Sequence, residues 1–219
     1  MPNENKIEII CIIDRSGSMQ AIRDDAEGGF NRFIEDQKKE PGECQVTLTQ
    51  FDDKYEILFE AKPIKDMSHY LLVPRGNTAL LDAMGQTINA VGERLAKTSE
   101  AQRPGKIVVV VVTDGQENAS KEFRYADIKK LVTQQQETYK WQFVFQGANL
   151  DAFATSTLLG IPLRNVTQTQ GTGASAKGGY QVLSRSLSNL RSAPAGASYC
   201  SVGNSVDEEG NISNVTPPK

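Results

Sequence analysis

The sequence predicts a doubly wound α/β domain, in which a central, mostly parallel sheet carries helices on both faces. Two stretches, residues 7–13 and 107–112, are almost wholly β-branched and apolar, which is the composition of strands buried on both sides. Other segments carry apolar residues every three or four positions, the spacing of amphipathic helices. Because strands and helices alternate along the chain, we expect a sheet built largely from βαβ units.

Four elements are predicted between the two apolar strands. Residues 19–39 carry an apolar stripe at helical spacing and stop at a Pro-Gly pair, so a helix is expected there. Residues 44–51 and 55–59 alternate in polarity and are separated by a tight turn, which indicates an antiparallel hairpin. The sheet should therefore have one antiparallel edge strand. A second amphipathic helix is predicted around residues 81–95.

The second half of the chain continues the alternation. The patterns predict, in order, a strand at 107–112, a helix around 125–132, a strand from Trp141, a short helix at 151–159, a weak edge strand at 166–169 and a last helix at 180–190. The Gly-rich stretch 171–179 is expected to be a flexible link. We therefore predict one domain over residues 1–192 and a polar tail, 193–219, that is loosely ordered or at most a weak hairpin.

Composition and charge exclude several classes of function. The 219 residues carry a formal net charge of −3 without a basic stripe, so no nucleic-acid partner is expected. No apolar run approaches the ~20 residues of a membrane span, so no membrane partner is expected either. The N-terminus lacks the apolar region of a signal peptide, and three cysteines form no even set. These features favour a reduced, cytoplasmic protein.

Oxygen-bearing side chains follow the two apolar strands. Asp14, Ser16 and Ser18 come directly after the first, and Asp114 after the second. If these strands are neighbours, the crevice at their carboxyl ends brings the side chains together, with Thr78 in the RGNT loop as a third wall. Carboxylate and hydroxyl oxygens suit a hard divalent cation such as Mg²⁺, whereas zinc prefers softer ligands.

Three motifs in order, DRSGSM, GNTAL and TDG, resemble the von Willebrand factor type A (vWA) domain with its metal-ion-dependent adhesion site. The resemblance covers about residues 6–192, and it implies a Rossmann-like sheet with one antiparallel edge strand. It also implies Mg²⁺, or Mn²⁺ or Ca²⁺, as the cofactor. The residues that it implies as metal ligands are Asp14, Ser16, Ser18, Thr78 and Asp114. The two serines would contact the cation directly, the threonine directly or through water, and the two aspartates largely through water.

The same resemblance implies a function without catalysis. Neutral hydroxyl ligands leave the cation attractive to an outside carboxylate, so we expect a protein partner that presents an Asp or Glu to the metal. Arg15 and Arg75 flank two of the loops and would favour such a partner, whereas Glu117 would oppose it if its side chain pointed inward. The oligomeric state is not predicted. By analogy the chain is similar to stand-alone vWA proteins of bacteria and phages.

Three other interpretations remain open from the residues alone. Ser16, Ser18 and Thr78 are natural helix N-caps, and their grouping could be coincidental. Asp14 also occupies the place of the nucleophile in haloacid-dehalogenase-type phosphatases, which would make the chain a metal-dependent phosphoryl-transfer enzyme, although Ser16 replaces the second aspartate of their DxD motif. Finally, the chain could be a structural or assembly protein that needs no metal.

Overall fold

The computed structural model describes residues 1–148, 151–194, 197–199 and 204–214. The strands are β1 Asn3–Asp14, β2 Glu43–Phe51, β3 Tyr55–Pro63, β4 Pro104–Thr113, β5 Gln142–Ala148, β6 Val166–Thr169, β7 Asn204–Val206 and β8 Ile212–Asn214. The helices are α1 Arg23–Lys38, α2 Leu80–Lys97, α3 Tyr125–Tyr139, α4 Ala152–Leu159 and α5 Gly173–Ser192. Helix α1 is preceded by a 3-10 segment, Gly17–Ile22, so the helix predicted from residue 19 begins with a tighter turn.

The described strands form one sheet in the order β3-β2-β1-β4-β5-β6-β7-β8. Six neighbouring strands, from β2 to β7, are parallel, and the two edge strands, β3 and β8, pair antiparallel to their neighbours. The predicted fold class is thus confirmed, including the antiparallel edge strand β3. The second such strand, β8, lies in the segment that the sequence predicts as a tail.

The two most apolar strands, β1 and β4, pair in the centre of the sheet, as predicted. Ile13 is in register with Val112, so both strands end at the same level. One face of the sheet packs against α1 and α5, and the other against α2, α3 and α4, with side chains of β1 and β4 alternating between two separate apolar clusters. Burial on both faces explains why the central runs of these strands, residues 9–13 and 107–112, contain no charged residue.

The Gly-rich stretch 171–179 is not a flexible link, because α5 already begins at Gly173. Thr172 caps this helix by accepting a hydrogen bond from the N–H of Ser175. Gly179 lets the helix lie directly against the sheet, since a methyl group there would be 2.6 Å from the side chain of Gln146 on β5. The glycines therefore serve close packing, which the sequence pattern alone does not distinguish from flexibility.

The sequence predicts a tail that is loosely ordered or at most a weak hairpin, and its described part forms the hairpin β7–β8, which extends the sheet beyond β6. The domain boundary after residue 192 stays a prediction. In the part of the chain that the structure describes, no helix is both long and apolar enough to cross a membrane.

Candidate metal centre

Strands β1 and β4 end side by side in two polar residues that are hydrogen-bonded to each other. Thr113, the last residue of β4, donates from Oγ1 to Asp14 Oδ2 over 2.5 Å. The other oxygen of Asp14 accepts from the N–H of Ser16 over 2.6 Å. Asp14 is fully buried. Its carboxylate therefore fixes the turn after β1 against the end of β4.

Three hydroxyl groups and a second carboxylate surround one small space beside this turn. Ser16 Oγ and Ser18 Oγ lie 3.0 Å apart, and Ser18 Oγ donates to Asp114 Oδ1 over 2.6 Å. A methyl group on Gly115 would lie 2.7 Å from Thr78 Oγ1, 3.1 Å from Ser18 Oγ and 3.3 Å from Ser16 Oγ. The three hydroxyls thus converge on the space that a β-carbon would occupy at residue 115. The structure brings all five predicted residues to one place.

The two carboxyl groups are held where ionisation is unfavourable. Burial raises the pKa of Asp14 to about 6, although hydrogen bonds from Thr113 and Ser16 oppose this. Burial also raises the pKa of Asp114, in spite of the hydrogen bond from Ser18. Asp114 Oδ2 is buried and has no hydrogen-bond partner among the described residues. Burying an unpaired carboxylate oxygen lowers the stability of the folded protein unless another group binds to it.

These features fit a divalent cation. The donor set is hydroxyl and carboxylate oxygen, the unpaired Oδ2 of Asp114 offers an acceptor position, and the absence of a side chain at Gly115 leaves space between the hydroxyls. Across the described ranges, no group of three or more His, Cys, Asp or Glu side chains could hold a metal ion. A metal at this point would accordingly depend on serine and threonine ligands, and its presence stays a prediction.

Asn118, which the sequence motifs do not single out, fixes the loop that carries Thr78. Asn118 Oδ1 accepts from the N–H of Thr78 over 2.9 Å. In return, the N–H groups of Asn118 and Ala119 both donate to the carbonyl oxygen of Thr78, over 3.0 and 3.2 Å. Both backbone polar groups of Thr78 are therefore held by the loop after β4. The only signal in the sequence is the position of Asn118, three residues after the TDG motif.

Two other acidic residues near the centre, Glu117 and Asp82, are turned away from it. Glu117 accepts from the N–H of Leu81 over 3.0 Å and from Ser120 Oγ over 2.7 Å, so it caps the start of α2. Asp82, in the first turn of α2, accepts from three consecutive N–H groups of residues 121–123. The possible inward position of Glu117 is thus not adopted. Both carboxylates instead join α2 to the loop after β4.

The two arginines beside the centre are already paired. Arg15 Nε and Arg75 Nε both donate to Asp52 Oδ2, over 3.0 and 2.7 Å, and Arg15 also contacts Glu56. Burial alone would raise the pKa of Asp52, but the two arginines and the N–H of Lys54 hold it below its usual range. Because the positive charges are offset, their attraction for an acidic partner is weaker than the sequence suggests. Their main effect is to fasten the RGNT loop to the turn after β1.

Comparison with known proteins supports a vWA domain. Residues 9–116, a little under half of the chain, match the family model of the von Willebrand factor type A domain. No curated protein matches the sequence. The described sheet and its surrounding helices form the Rossmann-like fold of this class.

Solved structures share this fold at low sequence identity. Proximal thread matrix protein 1 from the mussel byssus is 18% identical, covering 88% of this chain and 48% of that chain, with a TM-score of 0.58. The von Willebrand factor type A protein from Catenulispora acidiphila is 14% identical, covering 84% and 42%, with a TM-score of 0.54. Manganese-loaded TRAP from Plasmodium vivax is 11% identical, covering 79% and 72%, with a TM-score of 0.53. The chain spans about half the length of the first two.

Proposed function

We propose that this chain is a vWA module that binds a protein partner through a divalent cation. The cation would be held by Asp14, Ser16, Ser18, Thr78 and Asp114, and an Asp or Glu of the partner would complete its coordination. When bound, it supplies a positive charge that an outside carboxylate can reach. vWA domains are often protein-interaction modules without catalytic activity, and this proposal applies that role to the present chain.

The observation that carries the proposal is the convergence of three neutral hydroxyls beside a buried carboxylate with an unpaired oxygen. Because these three ligands are neutral, the protein offsets the charge of a divalent ion only in part. Ser18 and Gly17 are exposed, whereas Ser16, Thr78 and Asp114 are buried, so the centre is open on the side of the turn after β1. A partner carboxylate would approach from that side.

Hard oxygen ligands and the small space favour Mg²⁺, with Mn²⁺ or Ca²⁺ as alternatives. The manganese in TRAP, a protein with the same fold, supports a divalent ion at a vWA site. A cation here would also favour the ionised forms of Asp14 and Asp114, whose pKa values are raised by burial. The ion and the two carboxylates would therefore stabilise one another.

The phosphoryl-transfer interpretation is less well supported. Both oxygens of Asp14 accept hydrogen bonds and its side chain is fully buried, which suits contact with a cation through water better than attack on a phosphoester. These contacts suit a residue that positions the turn and balances charge.

We also propose a cytoplasmic location. Cys11 and Cys44 are both free and buried, in keeping with a reducing compartment.

The test is a capture experiment with a lysate of the source organism. Wild-type protein and the double variant Ser16→Ala/Thr78→Ala are immobilised in Mg²⁺, and the wild type is also tested in chelator. We expect partners that bind wild type only in Mg²⁺ and elute with free acetate or an acidic peptide, but not with a lysine-rich peptide. Equal capture by wild type, double variant and chelated protein would favour metal-free assembly. Phosphate release from a generic phosphoester in Mg²⁺ would favour the enzyme.

A further inference from the structure

Two aliphatic side chains project into solvent from the segment that leads to the RGNT loop. Leu71 is 64% exposed and Val73 is 63% exposed, whereas Tyr70 and Leu72 beside them are buried. The segment therefore alternates inward and outward like a strand, with its outward residues apolar instead of polar. Exposed aliphatic residues are ordinary when isolated, whereas contiguous exposed apolar surface marks interaction sites, and here two such residues stand two positions apart on one segment.

The segment is held firmly in this arrangement by α1. The N–H of Tyr70 donates to Asn31 Oδ1 over 2.8 Å, and Asn31 Nδ2 donates to the carbonyl oxygen of Tyr70 over 2.9 Å. The N–H of Leu72 donates to Glu27 Oε2 over 2.7 Å. Because these bonds fix the inward residues, the outward residues are presented in defined positions, which lowers the entropy cost of binding a partner.

The same segment is continuous with the candidate metal centre. The N–H of Arg75 donates to the carbonyl oxygen of Arg15 over 2.8 Å, and the N–H of Gly17 donates to the carbonyl oxygen of Gly76 over 3.1 Å. Val73 is two residues before Arg75, so their α-carbons are at most about 7 Å apart. Val73 is thus two residues away from a backbone contact with the turn that carries Ser16 and Ser18.

We propose that Leu71 and Val73 form the apolar part of the partner-binding surface. The partner is a protein segment in which an aliphatic side chain stands close to the acidic residue that completes the cation. This inference rests on the proposed function. The charges support an aliphatic neighbour over a second acid, because Arg15 and Arg75 are already balanced by Asp52 and Glu56 and offer little free positive charge on this side.

Two synthetic peptides test the proposal, one with an aspartate between two leucines and one with an aspartate between two serines. Their affinities for the full chain in Mg²⁺ are measured by NMR titration. For wild type we expect the leucine peptide to bind about tenfold more tightly, since one buried aliphatic side chain contributes roughly that factor. In Leu71→Ser/Val73→Ser this preference should vanish, while the affinity for Mg²⁺ measured by calorimetry should not change.

Leu158→Ser is the matched control, since Leu158 is 52% exposed on α4 and has no part in either surface. It should keep the full preference for the leucine peptide. Equal affinities of the two peptides for wild type, or a preference that survives in the double variant, would overturn the inference. In both cases, peptide binding that still requires Mg²⁺ would leave the metal-dependent function standing. If neither peptide binds in Mg²⁺, the inference is overturned, and the calorimetric titration without peptide tests the function separately.

Discussion

Ser18 Oγ donates a 2.6 Å hydrogen bond to Asp114 Oδ1 across 96 residues of sequence. This contact joins the turn after β1 to the end of β4 in the open crevice where the two central strands stop. One oxygen of Asp114 therefore accepts a hydrogen bond from Ser18, and the other is buried without a hydrogen-bond partner among the described residues. The proposed cation would make use of the unpaired oxygen and of the hydroxyls around it.

Gly115→Ala should abolish metal binding while leaving the fold intact. Its methyl group would lie within 3.3 Å of all three hydroxyl oxygens, and the closest, Thr78 Oγ1, would have to move from 2.7 Å. The measurement is calorimetric titration with Mg²⁺, with circular dichroism to check the fold. Gly92→Ala in α2 is the control, because a methyl group there meets nothing within 4 Å. It should bind Mg²⁺ normally and gain about 0.5–1 kcal/mol of stability. Unchanged Mg²⁺ affinity in Gly115→Ala would contradict the proposed placement.

Asn118→Ala should weaken Mg²⁺ binding although it removes none of the proposed metal ligands. The variant loses the hydrogen bond from the N–H of Thr78, which holds the threonine loop in place. We expect a loss of about 1 kcal/mol in stability and a several-fold rise in the Kd for Mg²⁺. Gln86→Ala, which removes a hydrogen bond to Glu122 on the surface nearby, is the comparison and should leave the Kd unchanged. If both variants bind Mg²⁺ like wild type, Asn118 does not position the site.

The stability of the metal-free protein should fall as pH rises from about 4 to 7. Burial raises the pKa of Asp14 to about 6, above the ordinary value of about 3.9, so the folded state binds more protons than the unfolded state between these values. Ionisation of Asp14 therefore costs stability in this window, by up to about 3 kcal/mol. Urea unfolding in chelator at several pH values measures the effect.

Asp14→Asn is the control for this pH dependence, since an amide does not titrate. Its stability in chelator should change less than that of wild type between pH 4 and 7. Saturating Mg²⁺ should stabilise the wild type at pH 7 more than the variant, because the amide keeps an oxygen ligand but loses the negative charge that offsets the charge of the cation. Parallel pH profiles for the two proteins would show that Asp14 is not the group responsible.

The sequence predicts the central architecture because the strongest signals are local and agree. The two β-branched runs become β1 and β4, and their adjacency follows from the topology rules for parallel sheets. That adjacency is enough to predict that Asp14 and Asp114 come together. The pairing depends on no side-chain detail, which is why it could be anticipated.

Features that depend on tertiary contacts could not be predicted in the same way. Residues 171–179 are predicted to be a link because their glycines are individually poor helix formers, yet the helix lies close to Gln146 because Gly179 lacks a side chain. The role of Asn118 and the pairing of Arg15 and Arg75 with Asp52 depend on how three loops meet. In each case the role depends on a contact with a residue far away in the sequence, and no local sequence pattern identifies that residue.

The central claim is that the folded loops bind a divalent cation through these ligands. Its most direct test is a thermal unfolding series of wild type and Ser16→Ala/Thr78→Ala in chelator and in increasing Mg²⁺ or Mn²⁺. Neither substitution should cost the fold more than about 1 kcal/mol, since each removes one hydroxyl. The melting temperature of wild type should rise with the metal, corresponding to about 2.7 kcal/mol at 100-fold excess over Kd, and that of the variant should not. A wild type that shows no metal-dependent shift at millimolar concentrations, or a variant that shifts equally, would contradict the account.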